Sequence, residues 1–98
     1  MPAPSASADL TLPAVLDMRK ARELKRILEA AIDRGETPLI DASQVARIST
    51  GCVQIVVSFV STMQQLGRQV TIRHPSDAMV RCFSDLGVSE TLDACKSE

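Results

Sequence analysis

Apolar residues recur at helical spacing in the segment that follows Asp17. They lie three or four positions apart, at Met18, Ala21, Leu24, Leu28, Ala31 and Ile32. This spacing places them on one face of an α-helix. Asp17 is a favourable N-cap residue and Gly35 a favourable stop signal. The pattern therefore predicts an amphipathic helix that begins after Asp17 and runs through Arg34.

The segment from Gly51 to Leu66 is rich in β-branched residues, so local propensity alone would also allow a buried strand. Its periodicity favours a helix instead. One side is polar, with Gln54, Ser58, Ser61, Thr62 and Gln65, and the opposite side is apolar, with Cys52, Val56, Phe59, Met63 and Leu66. The apolar arc spans about 200°, wider than the roughly 100° that one core face needs. We therefore expect part of this arc to contact a partner.

Short apolar segments alternate with the helices. The predicted strands are Asp9 to Leu16, Thr37 to Ser43 and Gln69 to His74. A last helix is predicted to begin after Ser76 and to end at Gly87. Alternation of strand and helix is typical of an α/β fold, a largely parallel sheet covered by helices. The 98 residues, of which 45% are hydrophobic, suffice for one domain with its own core.

Charge and composition exclude several classes of function. A net charge of -1 and two aromatic residues provide neither a general attraction to polyanions nor stacking platforms, so nucleic acid is not an expected partner. The longest apolar run falls short of the roughly 18 residues of a membrane span, so direct membrane insertion is not expected. Three cysteines without a CxxC pair fit a reducing compartment, which predicts a cytoplasmic location.

No catalytic constellation is apparent in the sequence. One histidine, His74, and four dispersed glycines do not supply a Ser/His/Asp arrangement, a phosphate-binding glycine loop or a metal site. Cys52 and Cys82 fall on apolar helix faces, where packing is the expected role. We therefore predict a protein without catalytic residues, metal or cofactor.

Two hydroxyl side chains, Ser49 and Thr50, stand at the start of the second helix in the segment "ISTG". Backbone N–H groups and the positive end of the helix dipole meet there, so a phosphate would be tolerated by its own helix. It would add about -1.5 to -2 charges beside an apolar surface. The alternative is that these residues only cap the helix, which is worth about 1 kcal/mol. The sequence leaves both interpretations open.

Two stretches, "LIDASQVARISTGCVQIVVSF" and "LGRQVTIRHPSDAMVRCFSDLGV", resemble a STAS domain, the family of anti-sigma-factor antagonists. The chain is also similar to short single-domain STAS proteins associated with bacterial chemotaxis kinases. The resemblance covers roughly Leu10 to Leu92. We therefore expect a STAS-like domain at residues 9–92 with a mixed, mostly parallel sheet, a disordered lead at residues 1–8 and a tail at residues 93–98.

The resemblance also implies a function and a site. The family's loop pattern, Asp-Ser-Ser/Ala-Gly-Leu, falls on residues 49–53, which puts Thr50 at the phospho-acceptor position, Ser49 in place of the Asp and Cys52 in place of the Gly. The candidate partner-binding residues are Asp41, Ser43, Gln44, Arg47, Ser49, Thr50, Gly51, Val53, Gln54 and Val57. The expected partner is a sensor, anti-sigma-type or chemotaxis kinase. The alternative is a constitutive STAS subunit of a membrane transporter assembly.

Overall fold

The structure, a computed structural model, describes residues 9–35 and 39–95. Its five strands are β1 (Asp9–Thr11), β2 (Val15–Leu16), β3 (Leu39–Asp41), β4 (Arg47–Ile48) and β5 (Thr71–Arg73). Its four helices are α1 (Met18–Asp33), α2 (Thr50–Gln65), α3 (Asp77–Asp85) and α4 (Ser89–Ala94). The predicted lead at residues 1–8 and the last three residues of the predicted tail lie outside the described residues.

All strand pairs in the described part of the chain are parallel. β3 lies between β1 and β5, with Ile40 opposite Leu10 on one side and Ile72 on the other. A second sheet consists of β2 and β4, with Leu16 opposite Ile48. The helices cover these parallel strands, so the predicted α/β fold class is confirmed.

The strand predicted from Asp9 to Leu16 is in fact two strands. β1 and β2 are separated around Pro13 and belong to different sheets. Proline has no N–H to donate to a ladder, so a strand interrupted at this position is expected. β4 lies between the predicted strand that ends at Ser43 and the predicted helix that begins at Gly51, where the sequence predicted no strand, and the prediction is wrong there. With two residues, β4 is too short to show an alternating pattern.

Three helices begin at the predicted side-chain caps. Asp17 accepts hydrogen bonds from the backbone N–H groups of Arg19 and Lys20, and Ser76 accepts one from Met79. Ser49 caps α2. Each cap satisfies backbone donors that a helix start leaves unpaired. The sequence therefore predicted the N-terminal ends of α1, α2 and α3 to within one residue.

The inner face of α2 lies in the main core, as its periodicity predicted. Cys52, Val56, Phe59 and Met63 are all buried, and they belong to the same apolar cluster as Ile40 and Ile72 of the sheet. Leu66, predicted on this face, is 52% exposed. It follows the last residue of α2 as the C-cap, so its side chain lies beyond the turns that pack on the core. That part of the prediction is wrong.

The chain adds one helix that the sequence did not reveal. α4 runs from Ser89 to Ala94, and Leu92 and Cys95 are both 2% exposed. The predicted domain boundary after Leu92 thus falls inside a helix whose end belongs to the core. Six residues are fewer than two helical turns, too few for apolar periodicity to be recognised. Among the described residues, no helix has the combined length and apolarity needed to cross a bilayer.

Candidate functional site

The carboxyl ends of the three parallel strands meet at one edge of the sheet. Asp41 ends β3 between Thr11 of β1 and Arg73 of β5. The backbone ladder continues past these ends, because Ala42 N–H donates to the Arg73 carbonyl oxygen at 3.0 Å and Leu12 N–H to the Asp41 carbonyl oxygen at 2.9 Å. This is the edge at which open α/β sheets commonly carry their ligands.

Asp41 is held as a carboxylate at this edge. Its Oδ1 accepts a hydrogen bond from the backbone N–H of Ser43 at 2.9 Å. Backbone and side-chain hydrogen bonds from Ser43 lower the pKa of Asp41 below its ordinary value of 3.8, and His74 and Arg73 lower it further by their charges. Desolvation acts in the opposite direction; it is weaker than the hydrogen bonds from Ser43 and stronger than the charges of His74 and Arg73. Asp41 therefore carries a negative charge across the physiological pH range.

The turn after β5 has a left-handed residue. His74 has a φ of 50°. Among the described residues, every other residue with a positive φ is a glycine. This conformation is uncommon for a residue with a Cβ. It directs the chain through Pro75 to Ser76, whose N–H donates to the carbonyl oxygen of Ala42 at 3.2 Å. The two loops at this edge are thus hydrogen-bonded to each other.

The loop between β3 and β4 has a fixed backbone and outward-facing polar side chains. Ala42 and Val45 are buried, whereas Ser43 and Gln44 are exposed. At the far end of the loop, the N–H groups of Ala46 and Arg47 both donate to the Ala14 carbonyl oxygen, at 2.7 and 3.0 Å. Buried side chains and hydrogen bonds at both ends leave the loop few alternative conformations.

The two hydroxyls at the start of α2 have different environments. Ser49 Oγ accepts a hydrogen bond from Cys52 N–H at 3.2 Å, so Ser49 is the N-cap. Its own N–H donates to the Leu16 carbonyl oxygen at 2.8 Å, which connects this turn to β2. Thr50 is the first residue of the helix and is exposed. Of the two candidate acceptors, Ser49 therefore caps the helix and Thr50 faces solvent.

Residues 2–93 match a family model described as "Mlab, STAS domain". The chain belongs to the STAS domain family. It is similar in structure to the protein TM1081, solved by NMR, with a TM-score of 0.78, 13% identity and coverage of 99% of this chain and 78% of that chain. It is also similar to a sulfate transporter family protein from Wolinella succinogenes, with a TM-score of 0.73, 16% identity and coverage of 98% and 80%. At these identities the likeness concerns the fold. A comparison with curated proteins gave no match.

The STAS domain exposes half of the ten candidate partner-binding residues fully and four more in part. Ser43, Gln44, Arg47, Thr50 and Gln54 are exposed, and Asp41, Ser49, Gly51 and Val57 are half-buried. Val53 differs, because it is 1% exposed and belongs to the core. Its inclusion among surface residues is wrong. The width of the apolar arc indicated that some of α2 faces outward, but it did not identify which valine does so.

Met18, which the sequence placed on the apolar face of α1, is a surface residue. It is 73% exposed. Its sulfur lies 3.6 Å from the position that a Cβ would occupy on Gly51. As the first residue of α1, Met18 shares the apolar stripe but extends past the packed turns. The short Gly51 leaves space for this thioether beside the start of α2, next to the candidate site.

The three thiols of the STAS domain are unpaired and mostly buried. Cys52 donates to the Asp17 carbonyl oxygen at 3.5 Å, and the partly buried Cys82 donates to that of Ile48 at 3.6 Å. Burial raises the pKa of the Cys95 thiol. These thiols therefore act as small packing groups that join neighbouring elements. Within residues 9–35 and 39–95, no group of three or more His, Cys, Asp or Glu side chains is placed to hold a metal ion.

Proposed function

We propose that this STAS domain is a non-catalytic, cytoplasmic regulatory module that binds a kinase of a bacterial signalling system, either of the anti-sigma type or associated with chemotaxis. The partner-binding surface comprises Asp41, Ser43, Gln44, Arg47, Ser49, Thr50, Gly51, Gln54 and Val57. The observation that carries the proposal is the combination of exposed polar side chains with a backbone hydrogen-bonded at both ends of the β3–β4 loop. A pre-organised surface loses little conformational entropy when it binds.

Thr50 is the proposed site of regulation by phosphorylation. Thr50 is exposed, whereas the hydroxyl of Ser49 accepts the hydrogen bond that caps α2. The first turn of α2 contains no acidic residue, and Arg47 lies three positions before Thr50. A phosphate on Thr50 would therefore meet the positive end of the helix dipole without an adjacent carboxylate from that turn. The domain itself would remain folded.

The same phosphate would also change how well the surface around Thr50 fits the partner. Gly51 and Val57 are half-buried and contribute uncharged surface next to Thr50 and Gln54. Placing about -1.5 to -2 charges on such a surface is costly if the partner covers it with apolar or acidic groups. We therefore expect phosphorylation of Thr50 to weaken the complex. Ser49 is the second candidate acceptor, available if its capping hydrogen bond is broken.

The test is calorimetric titration of a kinase captured with the parent domain, using Thr50→Glu and a matched Ser84→Glu variant. Ser84 is an exposed serine on α3, outside the partner-binding surface. Thr50→Glu is expected to weaken binding at least tenfold, and Ser84→Glu to leave it unchanged. Equal affinities for Thr50→Glu and parent, with no phosphate transferred to either hydroxyl by the captured kinase, would exclude the switch.

A second candidate function is a constitutive subunit of a membrane transporter assembly. It is favoured by the description of one structural relative as a sulfate transporter family protein. In this role the same surface would bind its partner irrespective of the state of Thr50. Capture of a transporter subunit whose affinity is equal for parent and Thr50→Glu would support this alternative over the kinase-linked role.

A further inference from the structure

A shallow groove lies between α1 and α2 on the outer surface of the helices. Its apolar lining includes Leu28 and Ile32 from α1 and Ile55 and Phe59 from α2. The volume is about 290 Å³. Sites for drug-sized molecules usually measure about 300–1,000 Å³ and enclose most of the ligand, so this open groove is better suited to a protein surface.

The α2 side of the groove is free of charge. None of the 16 residues of α2 is acidic or basic, although 23% of the whole chain is charged. The exposed residues Gln54, Ser58 and Thr62 line the groove along α2. Two such faces can approach each other without like-charge repulsion. A low density of charge also lowers the desolvation cost of an interface.

The α1 side of the groove carries one charge of each sign. Lys25 and Glu29 both line the groove and both are exposed. They are four residues apart, about 6 Å along the helix axis. Ile27 marks the midpoint between them along the helix axis, although its own side chain lies on the opposite side of α1. A two-fold axis perpendicular to α1 at the level of Ile27 places Lys25 of one chain opposite Glu29 of an identical chain. Each charge would then face a charge of opposite sign.

We infer that the occupant of this groove is a second copy of the same chain, packed face to face with its α1 and α2 antiparallel to those of the first. Lys25 then faces Glu29 of the partner subunit, and Glu29 faces Lys25 of the partner subunit. The uncharged sides of the two α2 helices pack at the centre. This pairing is self-complementary, as a two-fold interface requires.

The face extends along the length of α2. α2, with 16 residues, is about 24 Å long. Gly51 and Gln54 are shared with the partner-binding surface, whereas Lys25 and Glu29 lie outside it. The dimer does not depend on the proposed function.

The experiment is sedimentation equilibrium of the full chain at concentrations up to about 1 mM. Such concentrations detect a dimer whose dissociation constant is about 1 mM or lower. The parent is expected to approach twice the chain mass of 10.6 kDa. In a dimer of Lys25→Glu, a carboxylate faces a carboxylate in both pairs of positions 25 and 29. In a dimer of Glu29→Lys, an amine faces an amine in both pairs. Each single variant is expected to dimerise at least tenfold more weakly than the parent.

Mixing the two single variants in equal amounts should restore association, because every facing pair in the heterodimer is then of opposite charge. The double variant Lys25→Glu/Glu29→Lys should dimerise like the parent. Restoration also shows that both single variants are folded. Ser58→Arg, on the uncharged side of the groove, should abolish the dimer, and the matched Ser84→Arg should not. A monomeric parent, single variants that dimerise like the parent, or a mixture that stays monomeric would each overturn the inference.

Discussion

The backbone N–H of Ile72 in β5 donates a hydrogen bond to the carbonyl oxygen of Cys95, 2.6 Å away. Cys95 directly follows α4 and is 2% exposed. The last helix therefore covers the outer edge of β5, on the side opposite to β3. Leu92 contributes to the same cluster. Residues beyond the predicted domain boundary thus support the sheet on which the candidate site stands.

Deletion of residues 93–98 should lower the free energy of unfolding by about 2–4 kcal/mol, because it removes a buried thiol and leaves a buried N–H without its acceptor. Urea denaturation followed by circular dichroism measures the change. Deletion of residues 96–98 is the control for shortening, since it retains both Cys95 and its carbonyl. If the two truncated chains unfold at the same urea concentration, residues 93–95 do not make the expected contribution to the free energy of unfolding.

Phe59→Ala should lower the free energy of unfolding by about 3–5 kcal/mol, because Phe59 is buried in the cluster shared by α2 and the sheet. Gln54→Ala is the matched control on the same helix. Its side chain is exposed, so the change should stay within about 0.5 kcal/mol. Both values come from urea denaturation of the same preparation. Losses of equal size would show that the two faces of α2 had been exchanged.

Ser49→Ala should destabilise the domain by about 1 kcal/mol, because it removes the oxygen that accepts the hydrogen bond from Cys52 N–H. Thr50→Val changes an exposed residue that does not cap the helix and should cost less than about 0.5 kcal/mol. Thermal melting of the two variants distinguishes the hydroxyls. A larger loss for Thr50→Val would mean that Thr50 caps α2 in solution.

Acidification should remove a contribution of Asp41 to stability. Its pKa is lowered in the folded protein, first by hydrogen bonds from Ser43, so ionised Asp41 favours the folded state. The contribution is complete above the unfolded-state value, near 3.8, and is lost as the pH falls through the lower folded-state pKa. The urea midpoint of the parent should therefore exceed that of Asp41→Asn at neutral pH and converge with it in strong acid.

Ser43→Ala provides a separate check on the same carboxylate. It removes the side-chain hydrogen bond but keeps the backbone N–H, so the pKa of Asp41 should rise part of the way toward 3.8. NMR titration of the Asp41 carboxyl carbon measures this directly. An unchanged titration midpoint in Ser43→Ala would show that the Ser43 hydroxyl does not contact Asp41 in solution.

The sequence predicted the features that depend on local signals. The apolar spacing of α1 and α2 and the caps at Asp17 and Ser76 are encoded within a few residues and were predicted correctly, whereas the cap of α2 was predicted only to be Ser49 or Thr50. β4 and α4 were missed because short elements are stabilised by distant partners. β4 forms because β2 lies beside it, and α4 ends where Cys95 meets Ile72. Neither partnership leaves a periodic pattern in the sequence.

The turn that carries the candidate hydroxyls was predictable from the sequence, but the role of each hydroxyl was not. The hydroxyl-containing turn before α2 was evident from "ISTG". Whether Ser49 or Thr50 caps the helix depends on one backbone turn, in which Ser49 N–H also binds Leu16. The burial of Val53 and the exposure of Met18 were not predicted, because an apolar stripe shows which way a side chain points but not whether another element covers it. Val53 is covered by other elements, whereas Met18 projects from a helix end.

The parallel registry of the strands also has a consequence for how the chain reaches this fold. Asp9 pairs with Leu39, Val15 with Arg47 and Leu39 with Thr71, so paired strands lie 30 to 32 positions apart. The described chain contains no β-hairpin that could form early from neighbouring residues. Each pairing first requires closure of a long loop, whose entropic cost precedes the gain from contacts. The helices, whose hydrogen bonds are local, are therefore expected to acquire structure before the sheet, and strand pairing to limit the folding rate.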